Sequence, residues 1–93
     1  MAETSTGNPY NEIHFRNYFL REFDSSVNES ELVWHRDKRD RVIRVKGGKG
    51  WQLQIDNELP MELVEDKIYI IKKEVYHRLL KGEDNLVLEI YEE

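Results

Sequence analysis

From Glu31 onward the chain repeats its apolar residues with a period of two and interrupts them with turn residues at close spacing. A period of two places alternate side chains on one face of an extended strand, so the pattern selects half-buried β-strands over helices. Ile43 and Val45 alternate with Val42 and Arg44, and Gly47, Gly48 and Gly50 then permit a tight reversal. Trp51, Leu53 and Ile55 alternate with Gln52 and Gln54, and Asp56 and Asn57 supply the next turn. Leu59, Met61 and Leu63 alternate around Pro60 and Glu62. Glu65 to Lys67 is a polar corner, Ile68 to Ile71 a strand apolar on both faces, and Lys72 to Glu74 a turn. Val75 to Leu80 is a strand carrying His77, Lys81 to Asn85 turns the chain back, and Leu86 to Tyr91 is the last strand. Short strands with frequent turns predict an all-β sandwich or barrel of about eight strands.

Upstream the pattern differs. Residues 1–9 are rich in Ser, Thr, Gly and Asn and read as a mobile tail. Phe15, Phe19 and Phe23 recur every four residues, with Tyr18 and Leu20 beside them, which predicts a helix over Asn11 to Phe23. Ile13, Phe15 and Phe19 also fit one face of a strand. Asp24 to Ser30 is a polar loop. The expected organisation is one domain, with a tail and a helix or arm over residues 1–30 and a β-barrel over 31–93.

A chain of 93 residues fits a single domain whose core must be efficient or shared with a second copy. With 39% hydrophobic and 35% charged residues, the composition is that of a folded globule. No apolar run approaches ~18 residues, so no transmembrane helix is expected. Met1 to Tyr10 lacks the apolar stretch of a secretory signal, and the chain has no cysteine, which together fit a cytoplasmic protein. The missing cysteine also removes disulfides, thiolate nucleophiles and cysteine-ligated zinc. There is no G-x-S-x-G, and G-G-K-G at Gly47 to Gly50 lacks the Walker spacing. The net charge of -5 hides a split: seven basic side chains lie between residues 36 and 49, against Asp37 and Asp40. They cover an exposed strand or mark a site for a small anion. The acidic balance and the lack of a recognition motif speak against a nucleic-acid partner.

Trp34 to Arg41 reads W-H-R-D-K-R-D-R. In a strand His35, Asp37, Arg39 and Arg41 share the face that Ile43 and Val45 continue, so that face points inward. His77, between Val75 and Leu79, also points inward. Buried polar groups need partners, because an unpaired one costs about 1–3 kcal/mol. Two imidazoles and a carboxylate are the donor set of the 2-His-1-carboxylate triad, which binds a divalent ion without filling its coordination shell. His35, Asp37 and His77 are therefore candidate metal ligands. Asp40 takes the place of Asp37 if a bulge turns it inward. The competing role for Asp37 is an ion pair with Arg39, Arg41 or Arg78. Arg41 either anchors a substrate carboxylate or phosphate through its forked donors, or pairs with Asp37 or Asp40. Gln52, Gln54, Tyr69, Tyr76 and Arg78 are candidates for a pocket lining, with a solvent-facing role as the alternative. Gln54, Tyr69 and Arg78 join Arg41 as the expected substrate-binding set. Trp34 and Trp51 read as core or dimer contacts, and His14 stands away from these motifs.

Glu31 to Tyr91, about two-thirds of the chain, resembles the cupin family. That family has a first motif of Gly, His-x-His, a Glu three or four residues on and a later Gly, and a second motif of Pro-x-Gly followed by His and Asn. His35 falls on the first histidine and Gly48 on the closing glycine. Ile68 to Leu79, I-Y-I-I-K-K-E-V-Y-H-R-L, resembles the second motif with His77 on its histidine. Asp37 replaces the second histidine, and Arg41 stands at the glutamate with Asp40 beside it. Lys72 and Glu74 replace the proline and glycine, Lys81 the asparagine, and Asp66 a usual glycine. The combined strings W-H-R-D, G-W-Q-L-Q-I-D-N-E-L-P and Y-H-R-L-L-K-G also resemble small cupin-like proteins of phage and environmental microbial origin.

The resemblance implies a double-stranded β-helix, or jelly-roll, barrel and a homodimer. It implies a divalent metal (Fe, Mn, Ni or Zn) and no organic cofactor. The expected function is a small-molecule pocket with metal-dependent oxygenase or isomerase chemistry on an anionic ligand. The alternatives are a non-catalytic ligand-binding or sensing module and a structural interaction protein with a vestigial metal site.

Overall fold

A computed structural model describes residues 9–93, so the tail expected at residues 1–9 lies, but for Pro9, outside the described residues. The elements are β1 (Asn11–His14), β2 (Phe19–Phe23), a 3-10 turn (Glu29–Glu31), β3 (Arg41–Gly47), β4 (Gln52–Ile55), β5 (Met61–Glu62), β6 (Ile68–Ile71), β7 (His77–Leu80) and β8 (Leu86–Glu92). They form a five-stranded sheet, β1-β2-β8-β3-β6, and a three-stranded sheet, β5-β4-β7. Every strand pair is antiparallel. The fold is all-β, as the period of two predicts, and its two antiparallel sheets form the jelly roll that the cupin resemblance implies. Among the described residues no helix is long and apolar enough to cross a membrane.

The helix expected over Asn11 to Phe23 is instead a hairpin. β1 pairs with β2 from Asn11↔Glu22 to His14↔Phe19, and β2 continues onto β8 from Phe19↔Ile90 to Phe23↔Leu86. A spacing of four is an even number as well as close to a helical turn, so Phe19 and Phe23 share a face in either element. The open edge of β8 favours the strand, because it satisfies the backbone groups of both. Residues 11–23 are thus part of the barrel and not an arm before it.

The strand expected from Trp34 begins only at Arg41. Before it, the chain makes one isolated bridge, His35 opposite His77. Residues 35–41 carry no apolar side chain to hold a strand face, and Asp40 is drawn aside to accept a hydrogen bond from the Lys73 amide at 2.8 Å.

Phe19, Phe23, Ile43, Val45, Trp51, Leu53, Leu63, Ile71, Leu86, Leu88 and Ile90 form the core between the sheets. Trp51 is fully buried, and its indole N–H donates to the Asp84 carbonyl at 2.7 Å. A Cβ at Gly82 would lie 2.4 Å from the backbone of Lys49 and Trp51, so glycine is what lets the β7–β8 connection close over the tryptophan. Asn57 adopts a left-handed backbone, φ 66, at the turn foreseen there.

Candidate metal centre

β7 is bound on both flanks, and this brings the two histidines together. On one side it pairs with β4, Ile55 opposite His77. On the other, the His35 amide donates to the His77 carbonyl at 3.0 Å and the His77 amide to the His35 carbonyl at 2.8 Å. Directly opposed residues project to the same side of a sheet. The imidazole rings accordingly meet edge to face with centroids 4.3 Å apart. His77 is 4% exposed, whereas His35 stands at the rim.

The backbone fixes how each ring is protonated. His35 Nδ1 lies 3.0 Å from the Val33 carbonyl and His77 Nδ1 lies 2.9 Å from the Val75 carbonyl. A carbonyl only accepts, so Nδ1 carries a hydrogen in both rings and Nε2 is the atom each ring turns toward the other two groups. Such second contacts are what orient a metal-binding histidine.

Asp37 completes the group. Its Oδ2 lies 3.3 Å from His77 Nε2 and is buried without a hydrogen-bond partner. An imidazole nitrogen and a carboxylate oxygen this close need a proton or a metal cation between them. Ligand atoms of His35, Asp37 and His77 all lie within 4.8 Å of one another. Two imidazole nitrogens, one orphaned carboxylate oxygen and both histidines oriented from behind suit a divalent ion of the Fe, Mn, Ni or Zn type.

Arg41 supports Asp37 from the far side. Its Nη1 lies 3.3 Å from Asp37 Oδ1, while Nε donates to Glu92 Oε2 at 2.8 Å and Nη2 lies 2.8 Å from the same oxygen. Of the two roles weighed for Arg41, these contacts occupy the structural one. They also reconcile the two roles weighed for Asp37: Oδ1 takes the ion pair and Oδ2 remains for a metal. Burial acts to raise the Asp37 carboxyl, but the contact with His77 and the charge of Arg41 outweigh it and hold the group below its ordinary value. Lost hydration on the packed side of the His35 ring, with the neighbouring His77, pushes that imidazole below its ordinary value despite the Val33 carbonyl. Both shifts favour the deprotonated forms that bind metal.

A cavity of about 330 Å³ opens onto this group, lined in part by His35, Asp37, Arg41, Arg21, Phe23 and Leu79. Gln54, Tyr69 and Arg78, expected at the substrate site, do not line it. Arg78 alternates with His77 and Leu79 and so faces outward, donating to Gln54 Oε1 at 2.9 Å and stacking on Trp34 at 4.7 Å. Gln54 donates to the Glu58 carbonyl at 3.1 Å. The Tyr69 hydroxyl donates to the Glu62 carbonyl and accepts from the Val64 amide, both at 2.9 Å. Asp40, turned to Lys73, is likewise outside the ligand group. Sequence reasoning missed Arg21 because it lay in the segment read as helical. The alternation Phe19, Arg21, Phe23 is the signal that finds it.

No protein-family model matches the chain, and no curated protein matches it. Solved structures do. A cupin-2 domain protein from Shewanella frigidimarina is 21% identical with a TM-score of 0.60, over 90% of this chain and 79% of that one. KdgF from Halomonas sp. is 15% identical with a TM-score of 0.63, over 91% of this chain and 81% of that one. Fe(II)-HppE with an alternative substrate is 16% identical with a TM-score of 0.65, over 90% of this chain and 48% of that one, so this chain spans about half of its length. At these identities the likeness is one of fold, and together with the two-sheet topology it identifies the chain as a cupin-fold jelly-roll barrel.

Proposed function

We propose that the protein is a divalent-metal-dependent enzyme acting on a small anionic molecule, with His35, Asp37 and His77 as the metal ligands. The observation that carries this reading is the buried Asp37 Oδ2, which has no hydrogen-bond partner and lies 3.3 Å from His77 Nε2. That Fe(II)-HppE has a similar fold is consistent with it. A divalent ion with three protein ligands supplies a Lewis acid with open positions, suited to oxygenase or isomerase chemistry. The chain's residues do the rest. The Val33 and Val75 carbonyls hold the imidazoles in one tautomer, and Arg41 with Glu92 holds the carboxylate. Phe23, Leu53 and Leu79 keep water from the inner side of the cavity. The reading includes a homodimer. Ile68 and Ile70, 58% and 61% exposed on the outer face of the edge strand β6, supply an apolar surface for it.

Elemental analysis after chelator-free purification, followed by calorimetric titration with Fe(II), Mn(II), Ni(II) and Zn(II), tests the metal reading. About one ion per chain is expected, with binding weakened at least a hundredfold in His35→Ala and His77→Ala. A protein that neither carries nor takes up any of the four ions is not a metalloenzyme, and the non-catalytic binding module then stands. Sedimentation equilibrium of wild type and Ile70→Glu tests the dimer.

A further inference from the structure

β2 turns Phe19, Arg21 and Phe23 to the barrel interior, since the two phenylalanines are buried and the three alternate. A guanidinium between two core aromatics is tolerated only with close partners. Glu12, directly opposite on β1, is one of them. Its Oε2 accepts from Arg21 Nε at 2.7 Å and also pairs with Nη2, which occupies one edge of the guanidinium. The Tyr10 ring lies 3.8 Å from the guanidinium carbon and holds its plane. Among the described residues no other hydrogen-bond partner reaches Arg21, and its side chain, 11% exposed, lines the cavity shared with His35 and Asp37. Arg41, by contrast, has both edges engaged by Glu92 and Asp37.

We propose that Arg21 binds the carboxylate of a small substrate with an apolar body, held in the cavity beside the His35–Asp37–His77 centre. The proposal rests on the metal-centre reading for what happens to that substrate. Tyr10, Phe23, Leu32 and Leu79 provide the apolar walls. Glu12 takes Nε and Nη2, so the open edge of the Arg21 guanidinium is one planar fork, which a single carboxylate fills.

The test is an NMR titration of metal-free protein with hexanoate, 1-hexanol and inorganic phosphate at up to tens of millimolar. Hexanoate is expected to shift the Arg21 Nε–H and the Leu79 methyls saturably, and at least tenfold more tightly than either other probe. Arg21→Gln weakens hexanoate at least tenfold, Arg78→Gln leaves it unchanged, and Arg21→Gln keeps its divalent-metal affinity. Should Arg21→Gln not fold, Arg21→Lys decides in its place, with at least a fivefold loss expected. Undiminished hexanoate binding in the variant, equal binding of hexanol or phosphate, or no saturable shift in wild type overturns the proposal. Loss of metal binding in Arg21→Gln would make the residue a support of the centre and overturns it too. A wild type that binds hexanoate but no metal retains the Arg21 assignment and removes the metalloenzyme reading.

Discussion

Replacing Asp37 by asparagine separates the metal role of this residue from its structural role. In the metal-free protein the substitution preserves shape. The new amide N–H can donate to the Nε2 lone pair of His77, and the remaining oxygen still accepts from Arg41, which Glu92 continues to neutralise. The expected cost is about 1 kcal/mol, the scale of one exchanged hydrogen bond. Asp37→Ala strips both partners in a site where these side chains are 5% to 14% exposed, and costs about 3–5 kcal/mol. Metal present at a hundredfold excess over Kd stabilises the wild type by about 2.7 kcal/mol. In a domain of this size that raises Tm by about 10–20 °C. If the loss of the anionic ligand weakens binding a hundredfold, the same metal concentration stabilises Asp37→Asn by only about 0.4 kcal/mol, a rise of about 2–3 °C. Thermal unfolding followed by circular dichroism, with metal and with chelator at neutral pH, reads both quantities. A full metal-dependent rise in Asp37→Asn refutes the ligand assignment. A metal-free Tm as low as that of Asp37→Ala refutes the claim that an amide can take over the contacts of the carboxylate with His77 and Arg41.

Three further outcomes follow from the same geometry. The folded-state values of both His35 and Asp37 are depressed, so the unfolded chain binds more protons and stability is lost on acidification, first below the ordinary histidine value of 6.5 and then through the lowered Asp37 value, below 3.8. Urea unfolding across that range checks this, and His35→Gln should flatten the slope near neutrality; an unchanged slope removes His35 as its source. Arg41→Met leaves Asp37 Oδ1 and Glu92 without their shared partner, and is expected to lower stability by about 3 kcal/mol and metal affinity about tenfold in calorimetry. Gly82→Ala drives a methyl into the backbone beside the buried Trp51 and should cost about 3 kcal/mol in chemical denaturation, with a shift in tryptophan fluorescence.

The all-β class and the inward face of the alternating strands were open to reading in the sequence, because a period of two leaves a two-faced strand only one way to hide its apolar side. Ile43, Val45, Leu53 and His77 lie where that alternation puts them, whereas of Leu59, Met61 and Leu63 only Leu63 is buried. His35, Asp37 and His77 were singled out by the same alternation, but the strand expected to carry the first two begins only at Arg41, and the isolated His35–His77 bridge is what brings them together. What the alternation leaves open is the partner. Phe19 and Phe23 suit a helix as well as a strand, and only the free edge of β8 settles residues 11–23 as a hairpin, which is what carries Arg21 into the cavity. Facing inward also fails to say which end of the barrel a group reaches: Tyr69 shares the inner face with Ile71, yet its hydroxyl closes the β5–β6 corner. The tautomer of each histidine, the pairing of Arg41 with Glu92 and the orphaned oxygen of Asp37 depend on residues far apart in the chain. Local periodicity therefore determined the faces, and long-range strand pairing decided which side chains meet on them.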